Sequence, residues 1–194
     1  PEQGVDDGMS RLRGRILEIN RESARFFHAV LVSDSGRPGL DYFRSRGLSD
    51  RTIRHFGLGY APDSWRALYD HLRGKGYTDT ELVQARVVNR GRGDRLYDSF
   101  RGRMMFPILD LRGNVIAFGG RKAPEAEGPK YINTADTPVF KKSHNVYALN
   151  FAKAACADQV VLCEGYMDVI ALHQAGVTNA VAPLGTAFTE EQAR

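Results

Sequence analysis

The chain has 194 residues, 42% of them hydrophobic, enough to bury a substantial core as one domain plus a fragment or as two small units. Its net charge is a modest +4, and no apolar run approaches the ~20 residues of a membrane span, so no membrane-crossing helix is encoded. Cys156 and Cys163 are in neither CxxC nor Cys/His spacing; they fit buried thiols in a reducing cytosol and encode no zinc site. The opening PEQGVDDGMS lacks an initiator Met and an apolar signal region, and reads as an internal cut in a longer protein.

Residues 9–32 carry the longest helical pattern. Met9, Leu12, Ile16, Ile19, Phe26 and Val30 recur at steps of three and four, with Ser23 filling the one gap, and predict a packing helix with one solvated side. SDSGRPG, 33–39, is a loop signal. Residues 40–46 and 49–56 predict two short helices separated by Gly47, with Ser49 or Asp50 as N-cap of the second. GLGYAPDSW, 57–65, reads as a turn-rich connection. Its Trp65 is read as core, the alternative being a stacking surface for a base. A helix from Arg66 to His71 or Arg73 follows, then a turn and a short helix with Thr78 as N-cap and Glu81 three residues on.

Val87–Val88 and Leu96–Tyr97 flank NRGRGD, a hairpin signal in which Gly91 and Gly93 give the turn its freedom. MMFPIL and NVIAF, joined by DLRGN, predict a second hairpin. GGR, 119–121, reads as a tight turn that lets backbone approach a ligand. Between Arg86 and Lys122 there are nine basic residues against three acids, a local surplus larger than that of the whole chain. Arginine dominates the run, and its planar fork suits phosphate, although a solvated basic face has the same composition.

VVLCEGYMDVIA, 160–171, organises the rest. Val160, Val161, Leu162 and Cys163 predict a strand buried on both faces. From Asp168 the spacing turns helical, with Val169, Leu172 and His173 on one face. Glu164 thus sits where a strand gives way to a helix, and ligands gather at the carboxyl ends of strands in open α/β sheets. If Glu164 and Asp168 both lie in the helix's opening turns, their Cβ atoms are ~5–6 Å apart and can reach one hard cation or two. Their other reading is that of acids stabilising a helix N-terminus. Residues 179–183 predict the next parallel strand and LGTAFT its loop. A helix capped by Thr189 then begins, carrying Glu190 and Glu191.

EGYMDVIAL resembles the first motif of Toprim domains, in the wording of the DnaG-type bacterial primases. SFRGRMMFPILDLRGNVIAFGGR, KYIN and TPVFKKS resemble, in order and spacing, further blocks of that family's catalytic core; RGLS and APDSW match more loosely. The resemblance implies an α+β chain. A mixed α/β N-terminal primase subdomain, basic and template-binding, occupies 1–157. The first, truncated part of a Toprim α/β fold with parallel strands occupies 158–194.

The resemblance also assigns roles. Glu164 and Asp168 become catalytic and metal-binding residues, for Mg²⁺ or Mn²⁺. Arg101, Arg103 and Arg121 line a groove for template DNA and the RNA–DNA hybrid, while Arg46 and Trp65 hold single-stranded template. Lys130, Asn133, Lys142 and Tyr166 lie near the incoming ribonucleoside triphosphate. The implied activity is synthesis of short RNA primers on single-stranded DNA by a cytoplasmic, replication-fork enzyme. Three family features are absent from the chain: a zinc-binding N-terminal domain, a C-terminal region that binds the replicative helicase, and an Asp-x-Asp pair. The chain is therefore expected to be a fragment without primer synthesis of its own. The alternatives are a single-strand-binding or nucleotide-binding module, or another Toprim enzyme such as a topoisomerase or nuclease.

Overall fold

The computed structural model describes residues 2–156, 158–185 and 189–193. It is an α+β structure built on three groups of strands. Helix α1, Glu2–Leu31, extends the predicted pattern toward the N-terminus. Its fully buried residues among those described are Ile16, Ile19, Asn20, Ser23, Phe27 and Leu31, so the core stripe runs one position beyond the predicted Phe26 and Val30 near the helix end. Ser23 satisfies its hydroxyl by donating to Ile19 O at 2.8 Å. After a single 3-10 turn, Asp34–Gly36, α2 spans Arg37–Ser45, with proline in its first turn, where a missing N–H costs nothing. Helix α3, Asp50–His55, is capped by Ser49, whose hydroxyl accepts from Thr52 N.

The stretch predicted as turns contains a strand, β1, Gly59–Ala61. It is three residues long and exists by pairing with Arg103, Met104 and Met105, partners remote in sequence. Gly59 lets α1 lie on it: a Cβ there would come within 2.6 Å of Phe27. Helix α4, Ala67–Gly74, and α5, Asp79–Gln84, follow, the latter with the reciprocal Thr78–Glu81 capping box that the sequence predicts. Strands β2, Val88–Arg90, and β3, Leu96–Asp98, form the first predicted hairpin.

The second hairpin, β4, Arg103–Leu109, and β5, Val115–Lys122, is the centre of an antiparallel sheet. Strand β6, Tyr131–Asn133, completes its order β1-β4-β5-β6. GGR is not a turn. Gly119 and Gly120 lie inside β5 and make room for side chains: a Cβ at Gly119 would meet Tyr166 at 2.5 Å, and one at Gly120 would meet Phe100 at 2.8 Å.

The third sheet has the order β7-β9-β8, with β7 Val146–Tyr147, β8 Val161–Leu162 and β9 Ala180–Pro183. As predicted, β8 and β9 are parallel; β7 joins β9 antiparallel. The expectation that β8 is buried on both faces fails. It lies at an edge of the described sheet, and Leu162 is 50% exposed. Cys163, just past it, and Cys156 are free thiols and only half-buried. Helix α6, Leu149–Ala152, precedes β8. Helix α7, Tyr166–Gln174, links β8 to β9, and α8, Glu190–Ala193, is capped by Thr189, whose hydroxyl accepts from Gln192 N. Of the loop LGTAFT, residues 186–188 lie outside the described residues. One hydrophobic core runs from Leu31, Phe43 and Phe106 to Tyr166, Ile170 and Leu184, so it is shared by elements on both sides of residue 157. No described helix is long and apolar enough to cross a membrane.

Candidate functional site

The strand–helix junction is shorter than the spacing suggested. Helix α7 starts at Tyr166, with Gly165 as its N-cap. Glu164 therefore precedes the helix, and Asp168 lies in its first turn; they do not share the opening turns. Both carboxylates are exposed, and neither has a hydrogen-bond or ion-pair partner among the described residues. Asp168 leans back over the junction, with Oδ2 3.8 Å from where a Gly165 Cβ would stand. Unpaired oxygen donors of this kind fit a hard divalent cation. Mg²⁺ in particular keeps several waters and needs only one or two carboxylates. No group of three His, Cys, Asp or Glu side chains suited to a metal comes together among the described residues.

Strand alternation assembles what lies beside Asp168. Gly119 and Arg121 on β5 share a face with Tyr131 and Asn133 on the paired β6, and this face turns toward α7. The Arg121 guanidinium lies 4.5 Å over the ring of Tyr42, on α2. Tyr131 is 39% exposed. Partial burial pushes its hydroxyl up, and neighbouring Tyr42 and the Asp168 charge act in the same direction against Arg121. Tyr42, Arg121 and Tyr131 therefore form an aromatic–arginine ledge next to Asp168. Neither tyrosine was singled out from sequence. Tyr131 lies within the KYIN block, where it could have been found, whereas nothing in sequence ties Tyr42 to Arg121.

Tyr166, expected near the incoming nucleotide, has its side chain in the core. It is 7% exposed, stacks on Phe106 with centroids 5.0 Å apart, and meets Tyr147 edge-on at 4.6 Å. Its hydroxyl donates to Asn133 Oδ1, so the structure brings these two predicted residues into contact. The two lysines take different places. Lys130 is exposed beside Tyr131, its Nζ 6.0 Å from that ring. Lys142 is exposed with its Nζ near Gly185, just past the carboxyl end of β9. Because β8 and β9 are parallel neighbours, that is also the end at which Glu164 emerges.

The remaining predicted residues lie elsewhere. Arg103 and Arg121 sit opposite neighbouring positions of the β4–β5 ladder and so face opposite sides of the sheet; the arginine run is not a single groove. Trp65 is not core but 64% exposed, with Arg101 stacked on its indole at 3.9 Å and Tyr97 edge-on at 5.6 Å. Arg101 Nη1 also donates to Asp98 O at 2.8 Å, and Asp98 N to Trp65 O at 2.8 Å, which fixes the stack. Arg103 is buried and donates to the carbonyls of Gly120 and Pro129 at 3.3 and 2.9 Å. These residues line a cavity of about 520 Å³ that Asp63, Glu125 and Glu127 also line, so its charge is mixed. Arg46 ends α2, exposed, with no side-chain partner among the described residues.

Residues 26–153 match the family model for the DNA primase catalytic core, N-terminal domain, and residues 158–194 match that for the Toprim domain. The DNA primase of Clostridium acetobutylicum is 45% identical over 181 residues, which is 93% of this chain and 30% of that protein. That of Deinococcus radiodurans is 44% identical over 182 residues, 92% of the chain and 31% of the relative. The chain thus spans about a third of the length of these curated relatives. Among solved structures, the RNA polymerase domain of Mycobacterium tuberculosis primase DnaG superposes with a TM-score of 0.87 at 39% identity, over 93% of this chain and 59% of that one. A DnaG primase catalytic domain bound to single-stranded DNA gives 0.86 at 34% identity, over 94% and 59%. Fold, ordered motifs and family models agree: the chain belongs to the DNA primase catalytic-core family and carries Toprim-domain sequence from residue 158 onward.

Proposed function

We propose that this chain is the template- and nucleotide-binding part of a DNA primase, a DNA-templated RNA polymerase that makes short RNA primers on single-stranded DNA. The observation that carries this reading is the pair of unpartnered carboxylates, Glu164 and Asp168, at the carboxyl end of β8 beside the Tyr42–Arg121–Tyr131 ledge. Solved DnaG relatives have been captured on single-stranded DNA and on duplex DNA with an overhang, which supports a template role for the corresponding surfaces here.

In this reading Glu164 and Asp168 hold Mg²⁺ or Mn²⁺, which when bound activates the primer 3′-hydroxyl and neutralises the departing pyrophosphate. The ledge gives a base or sugar an aromatic face. Lys130 and Lys142 supply point charges for the triphosphate, and Asn133 an amide for a ligand oxygen. On the other face of the sheet, the exposed Trp65–Arg101 stack offers a single-stranded template a π-surface and a cation. The second reading, a binding module without activity of its own, has one observation in its favour: among the described residues no group of three His, Cys, Asp or Glu side chains suited to a metal forms at the junction. Another Toprim enzyme is disfavoured because residues 26–153 match a primase model outside the Toprim domain.

The test is a graft. The chain replaces the matching segment of the C. acetobutylicum primase, and template-directed ribonucleotide incorporation is measured with Mg²⁺ and with Mn²⁺. The proposal predicts that the graft makes primers and that Glu164→Gln or Asp168→Asn abolishes them. A graft as active with Glu164→Gln as without it removes the metal-site assignment.

A further inference from the structure

The ring of Tyr166 is enclosed, so it cannot itself stack on a ligand. Phe106 lies 11° from parallel to it, Tyr147 meets it edge-on, and Gly119 leaves the space its hydroxyl end fills. A phenol buried this deeply needs a partner for its O–H, and Asn133 Oδ1 accepts it. The Asn133 backbone is fixed independently. It pairs with Gly119, and the next residue, Thr134, donates its N–H to Phe118 O at 2.9 Å and accepts Phe118 N on its hydroxyl at 2.9 Å. Turning the Asn133 amide over would set its NH₂ against the phenol and leave the buried phenolic proton without an acceptor. Asn133 itself is only half-buried, and its Nδ2 has no protein partner among the described residues.

We infer that Tyr166 is a positioning residue that locks the Asn133 amide with its NH₂ outward, making this point of the nucleotide subsite a donor-only contact for an acceptor oxygen of the ligand. This rests on the reading of Lys130, Asn133 and Lys142 as a nucleotide site. The acceptor is a phosphate oxygen or a ribose oxygen, since both present lone pairs to an N–H donor. The same lock explains Gly119: any side chain there displaces the tyrosine on which the amide depends.

Calorimetric titration of the chain with Mg²⁺–GTP, and in parallel with tripolyphosphate, tests the inference. Asn133→Ala should weaken GTP binding about tenfold, the loss of one hydrogen bond. Tyr166→Phe keeps the ring, removes only the hydroxyl, and should weaken binding by about three- to tenfold. In the Asn133→Ala background it should add nothing, because both variants remove one and the same contact. Weakened tripolyphosphate binding assigns the acceptor to phosphate; loss confined to GTP assigns it to the ribose. If Asn133→Ala leaves GTP binding unchanged, the nucleotide reading of this subsite fails. If Asn133→Ala weakens binding while Tyr166→Phe does not, or if the two losses add, that reading stands and the positioning role is overturned. NMR of the parent chain gives a test that needs no variant. The Tyr166 hydroxyl proton should exchange slowly with water, and the Asn133 NH₂ resonances should shift on GTP addition. A freely exchanging hydroxyl, or an NH₂ pair indifferent to bound GTP, overturns the inference.

Discussion

Asp98 ties the Trp65–Arg101 stack to the protein interior. Its carboxylate is almost fully buried and accepts the N–H groups of Leu68 and Tyr69 at 2.8 and 2.9 Å, so a strand residue caps α4, while its backbone holds Trp65 and Arg101. Burial pushes this carboxyl from 3.8 up to about 6, against the two backbone N–H groups that favour the anion. The folded state therefore holds the proton more tightly than the unfolded chain. The group's contribution to stability is fully present below about pH 4 and is lost as pH rises through about 6, a change on the order of 3 kcal/mol. Urea denaturation at a series of pH values should show the parent gaining stability over Asp98→Asn as pH falls from 7 toward 4.5. Parallel curves would mean that Asp98 does not titrate in this window. Glu81 acts in the opposite sense: hydrogen bonds from Arg15 and the Thr78 backbone hold it down at about 2, so its contribution is present above its ordinary range and lost on acidification. Arg103 makes a contrast with Arg101. Arg103→Ala should lower the melting temperature, since the buried Gly120 carbonyl and the Pro129 carbonyl both lose their donor. Arg101→Ala should leave folding largely intact and weaken DNA binding. Equal melting temperatures for the parent and Arg103→Ala would contradict the structural role.

At the scale of elements, α7 carries Asp168 and is fastened at both ends to the preceding part of the chain. At its start Tyr166 reaches Asn133 on β6. At its end Gln174 accepts Ser49 N at 2.8 Å and the Thr52 hydroxyl at 2.7 Å, and donates to Gly47 O at 2.8 Å. Gln174→Ala removes three hydrogen bonds and should cost about 2 kcal/mol, a drop of about 4–8 °C in Tm by differential scanning calorimetry. An unchanged Tm would mean that the three contacts are replaced by water without loss. The two hairpins, the Ser49 cap and the Thr78–Glu81 capping box were legible in sequence because each is written in local chemistry: turn glycines, alternation, a hydroxyl followed three residues later by an acid. Strand β1 was not, because Gly59–Ala61 becomes a strand only by pairing with β4. The glycines of β5 were misread for a related reason. A glycine in sequence says that space is needed, but not whether backbone, ligand or, as here, Tyr166 and Phe100 take it.

At the scale of the molecule, the acidic pair was legible because its motif is contiguous, and so was the family, through ordered blocks from RGLS to EGYMDVIAL. The division of labour between the two faces of the central sheet was not. Arg101, Arg103 and Arg121 read as one basic run, yet the period-two geometry of β4 and β5 sends Arg121 to the side of Tyr131 and Asp168, while Arg101 stays with Trp65 and Arg103 turns inward. In the function proposed here, this chain grips single-stranded template through its arginines and the exposed Trp65 stack. The direct measurement is anisotropy of a labelled single-stranded oligonucleotide titrated with the chain over a range of salt concentrations. With four to six phosphate contacts, the slope of log K against log salt should be roughly −3 to −4. Arg101→Ala should make it shallower by about 0.7. Trp65→Ala should weaken binding by about 1–3 kcal/mol without changing the slope. A slope near zero, or Trp65→Ala and Arg101→Ala variants that bind like the parent, would contradict the account.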